Sequence, residues 1–224
     1  MSIIIVFDLD DTLYEELSFV RSGMRVVADY LSPILGLKQS RIYEELIQEL
    51  HLNREKVFDR FLLKYRKSNQ KLIKNCVSVY RSHEPSLNLF PEARSCLARL
   101  QEHPLYIVTD GNQIVQRKKF HSLGLDLLVR RCFFTYAHGL HRKKPSPYCF
   151  EKICDLENVL PQSVVYIADN PHKDFVGIKP LGFRTIRVLT GPYAQDKVES
   201  AYDAHLSIDN LQSLNEKLLR ELCL

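Results

Sequence analysis

The sequence contains no run of eighteen apolar residues, so no membrane-spanning helix is predicted. Its first residues, Met1-Ser2-Ile3-Ile4-Ile5-Val6-Phe7, have neither the basic start nor the small-residue cleavage site of a secretory signal. A cytoplasmic protein is therefore expected. None of the six cysteines (Cys76, Cys96, Cys132, Cys149, Cys154 and Cys223) falls in a C-x-x-C pair. They are spread along a chain long enough to fold without staples, which predicts reduced, mostly buried thiols. Histidines such as His83, His103, His138 and His172 lack metal-ligand spacing. No repeat or low-complexity segment occurs. Nine basic residues lie between Arg54 and Arg81, but no pattern of stacking aromatics accompanies them. They read as a solvated helix face, and no nucleic-acid partner is expected. The net charge of +4 favours anionic ligands without naming one.

What is present is an ordinary globular composition with a changing period. Ile3–Phe7 is a short β-branched run, the mark of a strand buried on both faces. From Leu17 to Arg81 the apolar residues recur at helical spacing, predicting three or four helices, with Pro33 and Gly36 breaking the first. Beyond Pro91 strands and helices alternate. Strands are predicted at 105–108, 132–134, 164–167, 185–188 and 206–208. Helices are predicted at 91–101, 114–121, 146–156, 173–179 and 211–222. This order predicts an α/β fold: a Rossmann-like parallel sheet with helices on both faces, plus an inserted all-helical domain. The core would comprise residues 1–13 and 90–224, and the insertion 14–89. A cleft between them would suit a ligand.

In such folds the strand ends carry the chemistry. The first predicted strand runs into Asp8-Leu9-Asp10-Asp11-Thr12, the second into Thr109-Asp110-Gly111, and a later one into Ala168-Asp169 with Asp174 shortly after. Lys143-Lys144-Pro145 precedes another helix. Several carboxylates at one point need a cation, and oxygen-only ligands select a hard ion, Mg²⁺ beside a phosphate. Asp8 could attack phosphorus and Asp10 could serve as general acid and base. Thr109, nearby backbone N–H groups and Lys144 could bind the transferring oxygens. Asp11 reads as a turn or capping residue, and Thr12 as either a loop hydroxyl or a ligand. Tyr14 reads as core or as the mouth of the cleft.

These residues resemble the four motifs of the haloacid dehalogenase-like superfamily. Asp8, Asp10 and Thr12 match its D-x-D-x-T. Thr109 matches the hydroxyl of the second motif, Lys144-Pro145 the third, and Asp169 with Asp174 the fourth. The resemblance implies that Asp8 is nucleophile and metal ligand. Asp10 would be the acid/base and offer its backbone carbonyl to the ion. Asp169 would bind the ion directly, and Asp174 directly or through water. The phosphate site would comprise Thr109, Asp110, Gly111 and Lys144. The helical insertion resembles the family's C1 cap. Two positions depart from the pattern: Ala168 replaces the usual Gly, and Asp110 the usual Asn. The expected function is Mg²⁺-dependent hydrolysis of a small phosphate ester through an aspartyl-phosphate. A sugar phosphate, a nucleoside monophosphate or flavin mononucleotide could each be the substrate. A phosphosugar mutase would use the same aspartate pair, and a phosphorylation-dependent signalling module would combine similar groups. A dehalogenase is disfavoured, because attack on carbon needs neither magnesium nor an acid at position 10.

Overall fold

A computed structural model describes residues 3–223. Met1 and Ser2, the start of the N-terminal segment read above, and Leu224 lie outside the described residues. The strands are β1 (Ile4–Phe7), β2 (Leu105–Thr109), β3 (Arg131–Phe134), β4 (Val164–Ala168), β5 (Arg184–Val188) and β6 (Leu206–Ile208). They form one sheet in the order β3-β2-β1-β4-β5-β6, and every neighbouring pair is parallel. The helices are α1 (Glu16–Leu35), α2 (Gln39–Leu52), α3 (Val57–Lys64), α4 (Gln70–Ser82), α5 (Pro91–Arg99), α6 (Gln113–Ser122), α7 (Tyr148–Glu157) and α8 (Glu216–Cys223). Residues up to Glu16, with those from Leu87 onward, form one compact unit, and Leu17–Ser86 form a second.

In the α/β unit, β1, β2 and β4 are buried at every residue, as continuous apolar runs require. Ile4, Val6, Tyr106, Val108, Val164 and Tyr166 pack with Phe150 and Ile153 of α7 and with Phe175 and Phe183. The intervening residues Ile5, Phe7, Ile107, Val165 and Ile167 point to the opposite face and are equally buried. Both faces of the sheet are therefore covered. The strand order reverses between β1 and β4, which opens the crevice where α/β sheets take ligands. Among the described residues, no helix is long and apolar enough to cross a membrane.

The helical unit is built around Val27, Leu31, Ile42, Leu46, Phe61 and Leu62, all buried. Its basic residues are not all a solvated face. Glu49 is buried, and its carboxylate takes ion pairs from Arg60 (2.8 Å) and Lys64. Arg60 also donates to the carbonyls of Glu49 (2.7 Å) and Asn53 (2.6 Å), so it satisfies the open end of α2.

Three predicted elements differ in the structure. Pro33 does not break α1, which continues to Leu35. It sits in the exposed last turn, and the Asp29 carbonyl that loses its i→i−4 donor belongs to an exposed residue, where water can replace the bond. The helix stops instead at Gly36, whose φ of 65° lets its N–H return to Ser32 O. The helix expected at 173–179 is a series of turns, followed by a short 3₁₀ segment at Lys179–Leu181. There Asp174 folds back onto the Asn170 N–H (3.1 Å), and the segment packs against Pro145. A Cβ on Gly177 would lie 1.7 Å from Pro145 O, so only glycine permits that approach. The last helix begins at Glu216 and not at 211. Arg99 takes the carbonyls of Leu211 and Leu214 (3.2 and 2.7 Å), and Asn215 accepts from Leu218 N as the cap.

All six cysteines are free, three of them buried and three partly exposed, so the thiols are less uniformly interior than expected.

Candidate active site

Asp8 follows the last residue of β1, and its N–H donates to Ile167 O of β4 (2.9 Å), the hydrogen bond that continues the sheet. The register pairs Phe7 with Ile167, so Asp8 and Asp169 leave adjacent strands at nearly the same level. Thr109 ends β2 on the other side of β1. Lys144 enters from the loop before α7. Its Nζ donates to Asp8 Oδ1 (2.8 Å) and Tyr166 OH (2.9 Å) and pairs with Asp174 Oδ1 (2.7 Å). The lysine side chain is only 1% exposed. Asp174 is held further by Tyr166 OH (3.2 Å) and Asn170 N (3.1 Å), so both its oxygens have donors. Thr12 donates to Asp169 at 3.4 Å, a weak bond.

The carboxylates of Asp8, Asp169 and Asp174 are buried, with one oxygen of each within 4.8 Å of the others. Lys144 touches two of the three acids, and Lys173 adds positive charge from further away. Burial pushes the Asp8 carboxyl up to about 6, against the pull of Lys144. Burial and the charges of Asp8 and Asp174 push Asp169 up to about 8. Burial opposes the charge on Lys144, but Asp174 and Asp8 hold it well above its ordinary range. Excess negative charge on buried oxygens with no nitrogen or sulfur donors suits a hard divalent ion such as Mg²⁺.

A second group surrounds Asp10. Tyr14 OH (2.6 Å) and Lys119 Nζ (2.7 Å) donate to Oδ1, and Gln116 Nε2 (2.8 Å) donates to Oδ2. Burial would raise the Asp10 carboxyl, but Lys119 and these three hydrogen bonds hold it below the usual carboxylate range. Its carboxylate is not one of the three that converge.

Asp110 accepts from Thr135 Oγ1 (2.6 Å) and from the Lys144 N–H (3.1 Å), so its carboxylate braces the loop that delivers Lys144. Gly111, at φ 129°, leaves room for Gln116, which a Cβ would approach to 3.3 Å. Asp11 accepts from Glu16 N (2.9 Å) at the entry to α1, consistent with a capping residue. Sequence reasoning did not single out Gln116, Lys119 or Tyr166, and it left Tyr14 as either core or the mouth of the cleft. The available signal was that Gln116 and Lys119 share a helical face with the buried Val115 and Phe120.

The chain is similar to known proteins in sequence and in fold. The model of the haloacid dehalogenase-like hydrolases matches residues 4–182. A protein of Pyrococcus furiosus named glyceraldehyde 3-phosphate phosphatase is 30% identical, with 97% of this chain and 93% of that protein aligned. A protein of the same name from Methanocaldococcus jannaschii is 28% identical over 94% of both. Among solved structures, a 2-haloacid dehalogenase from Pseudomonas syringae has a TM-score of 0.68 at 22% identity, covering 99% of this chain and 100% of that one. A phosphatase of the superfamily from Thermococcus onnurineus has a TM-score of 0.62 at 22% identity, covering 97% and 98%. The chain belongs to the haloacid dehalogenase-like hydrolase family.

The raised carboxyls have a measurable consequence. Their folded pKa values exceed the unfolded value of 3.8, so between that pH and about 8 the folded state binds more protons than the unfolded one. Stability in EDTA is expected to fall as pH rises through this window. His205, which burial holds below 6.5, acts oppositely only at the acid end, so the interval from pH 7 to 8 reports the acid cluster of Asp8, Asp169 and Asp174. Thermal melts at pH 7 and 8 should show the decline in EDTA and its removal by Mg²⁺. A flat profile in EDTA would contradict the crowding of these acids.

Proposed function

We propose that this protein is a Mg²⁺-dependent phosphatase of small phosphorylated metabolites, with sugar phosphates as the first class to test, acting through an aspartyl-phosphate on Asp8. The observation that carries the reading is the convergence of Asp8, Lys144, Asp169 and Asp174 in one buried cluster at the β1–β4 crevice. The names of the full-length relatives support a sugar phosphate.

Lys144 donates to Asp8 Oδ1, and Oδ2 is the oxygen that would attack phosphorus. The Oδ2–P bond forms as the ester P–O bond breaks. Asp10 passes a proton to the leaving oxygen, then takes one from the water that attacks the phospho-aspartate. Inorganic phosphate leaves and Asp8 is restored. Asp10 is held ionised in the free protein, which suits the second step directly. A phosphate dianion arriving beside it raises its proton affinity by like-charge repulsion, which suits the first. Lys144 and Thr109 offer donors to the phosphoryl oxygens. Asp8, Asp169 and the Asp10 carbonyl would hold a Mg²⁺ ion, with Asp174 contributing directly or through water, and the bound ion would supply positive charge against the phosphoryl oxygens.

The test is phosphate release from glyceraldehyde 3-phosphate, other sugar phosphates, nucleoside monophosphates and flavin mononucleotide with Mg²⁺ present. Release is expected to be fastest from a sugar phosphate, to stop in EDTA and to return with Mg²⁺. Unchanged rates in EDTA would remove the metal. An isomeric phosphosugar in place of inorganic phosphate would mean a mutase.

A further inference from the structure

We propose that Gln116 and Lys119 of α6 are positioning residues: Gln116 makes the Thr109 hydroxyl a hydrogen-bond donor, and with Lys119 it fixes the orientation of Asp10. This rests on the phosphatase reading, in which Thr109 meets phosphoryl oxygens and Asp10 moves protons.

Gln116 is 2% exposed and Lys119 4%. An amide and an ammonium this deeply buried on a helix face are tolerated only with strong partners. Gln116 Nε2 lies 2.6 Å from Thr109 Oγ1 and 2.8 Å from Asp10 Oδ2. An amide nitrogen has two hydrogens and nothing to accept with, and an ionised carboxylate only accepts. Gln116 therefore donates once to each. The reversed amide would set its oxygen against the Asp10 carboxylate, acceptor against acceptor. With Gln116 as its donor, Thr109 Oγ1 is an acceptor on that side, and its own proton is left to point elsewhere. In the proposed chemistry that proton meets the transferring phosphoryl group. One glutamine thus couples the end of β1 to the end of β2.

Lys119 acts on the other oxygen of Asp10. Its Nζ (2.7 Å) and Tyr14 OH (2.6 Å) both donate to Oδ1. Together with Gln116 on Oδ2, these donors restrain rotation of the carboxylate about its Cβ–Cγ bond, so the same oxygen faces the substrate in each turnover. Preorganisation of this kind affects the reaction rate more than binding.

The decisive experiment is a double-mutant cycle on the full-length protein in Mg²⁺, with Thr109→Val, Gln116→Met and the pair. Two readouts are used: kcat/KM on the best substrate, and binding of inorganic phosphate by calorimetry. Each single variant is expected to lose ~10²-fold in kcat/KM, as on removal of one preorganised donor. Each should also weaken phosphate binding. In phosphate binding the pair should lose no more than Thr109→Val alone, because Gln116 reaches phosphate only through Thr109; in kcat/KM it should lose less than the product of the singles, the remainder being the bond of Gln116 to Asp10. Multiplicative losses in phosphate binding, or wild-type kinetics for Gln116→Met, overturn the Gln116 assignment. Gln116→Glu has the same shape and at most one hydrogen to give. Because a carboxylate there also repels Asp10, only its phosphate-binding cycle is read, and that decides the question if the Met variant does not fold.

Lys119→Met is expected to lower kcat with little change in KM, and Lys119→Arg to recover most of the loss. Equal defects in the two, or a change confined to KM, overturn the Lys119 assignment. Should wild-type protein release no phosphate from any ester, the reading of the activity fails. The phosphate-binding cycle then still decides the role of Gln116 separately.

Discussion

Replacement of Asp8 by Asn removes turnover and leaves the fold at least as stable as wild type. An amide has no anionic oxygen to attack phosphorus, so the loss should be on the order of 10⁴-fold or more, the scale seen when a nucleophilic or triad residue is deleted. The stability follows from the electrostatics of the cluster. Burial already strains the Asp8 carboxylate, whose pKa stands near 6, and Asp174 adds like charge. The amide keeps the shape and an acceptor oxygen for Lys144, which also retains Asp174 as its counter-ion at 2.7 Å. One of the three buried carboxyl groups that compete for charge in the cluster is gone. Melting in EDTA should therefore occur at the wild-type temperature or above. The pair of measurements is phosphate release and the melting curve on one preparation. A variant that still turns over would remove Asp8 from the role of nucleophile. A variant that melts well below wild type would mean that repulsion among these carboxylates is not what governs the site.

Lys144→Met behaves in the opposite way and loses both activity and stability. Its ammonium is the counter-charge to Asp8 and Asp174 and a donor to Tyr166. Removing one partner of a buried ion pair leaves uncompensated charge and costs about 3–5 kcal/mol. For a chain of this size the melting temperature should fall by on the order of 10 °C. The deficit should depend on pH with a definite sign. Without the lysine the carboxyls rise further above their unfolded pKa, so the variant gains stability by taking up protons. Its difference from wild type should shrink as pH is lowered from 8 towards 5. Mg²⁺ should narrow the gap at pH 8, because an ion replaces part of the lost positive charge. Melting curves at both pH values, with EDTA and with Mg²⁺, test this. A deficit independent of both pH and Mg²⁺ would point to lost packing around Tyr166 and not to charge. No loss of activity would remove Lys144 from phosphate binding.

These two residues differ in how openly the sequence displays them. Asp8 follows an unbroken apolar run rich in β-branched residues, and in a parallel sheet such a run ends at the ligand edge. Asp169 is legible in the same way after Val164–Ala168, and Thr109 after Leu105–Val108. Lys144 is legible only by its motif with Pro145, since Lys143 beside it has the same chemistry. The partition of Asp110 could not be read. A carboxylate beside Thr109 was as consistent with the phosphate site as with turning away, and the Thr135 hydroxyl and the Lys144 amide that claim it lie far along the chain. The expected helix at 173–179 failed for a related reason. Local pattern favoured it, but burial of Asp174 against Lys144 and contact of Gly177 with Pro145 required turns.

From the sequence alone came the parallel α/β core, the helical insertion as an expectation, and the acids that leave the strand ends. Hydrophobic period and strand-end chemistry are properties of neighbouring residues, so they survive in one dimension. The tertiary structure alone decided which polar residues are buried and which partners they have: Glu49 with Arg60 and Lys64, and Asp10 with Tyr14, Gln116 and Lys119. A buried charge is stable only through groups that the fold brings to it from distant parts of the chain, and no local pattern records which groups those will be.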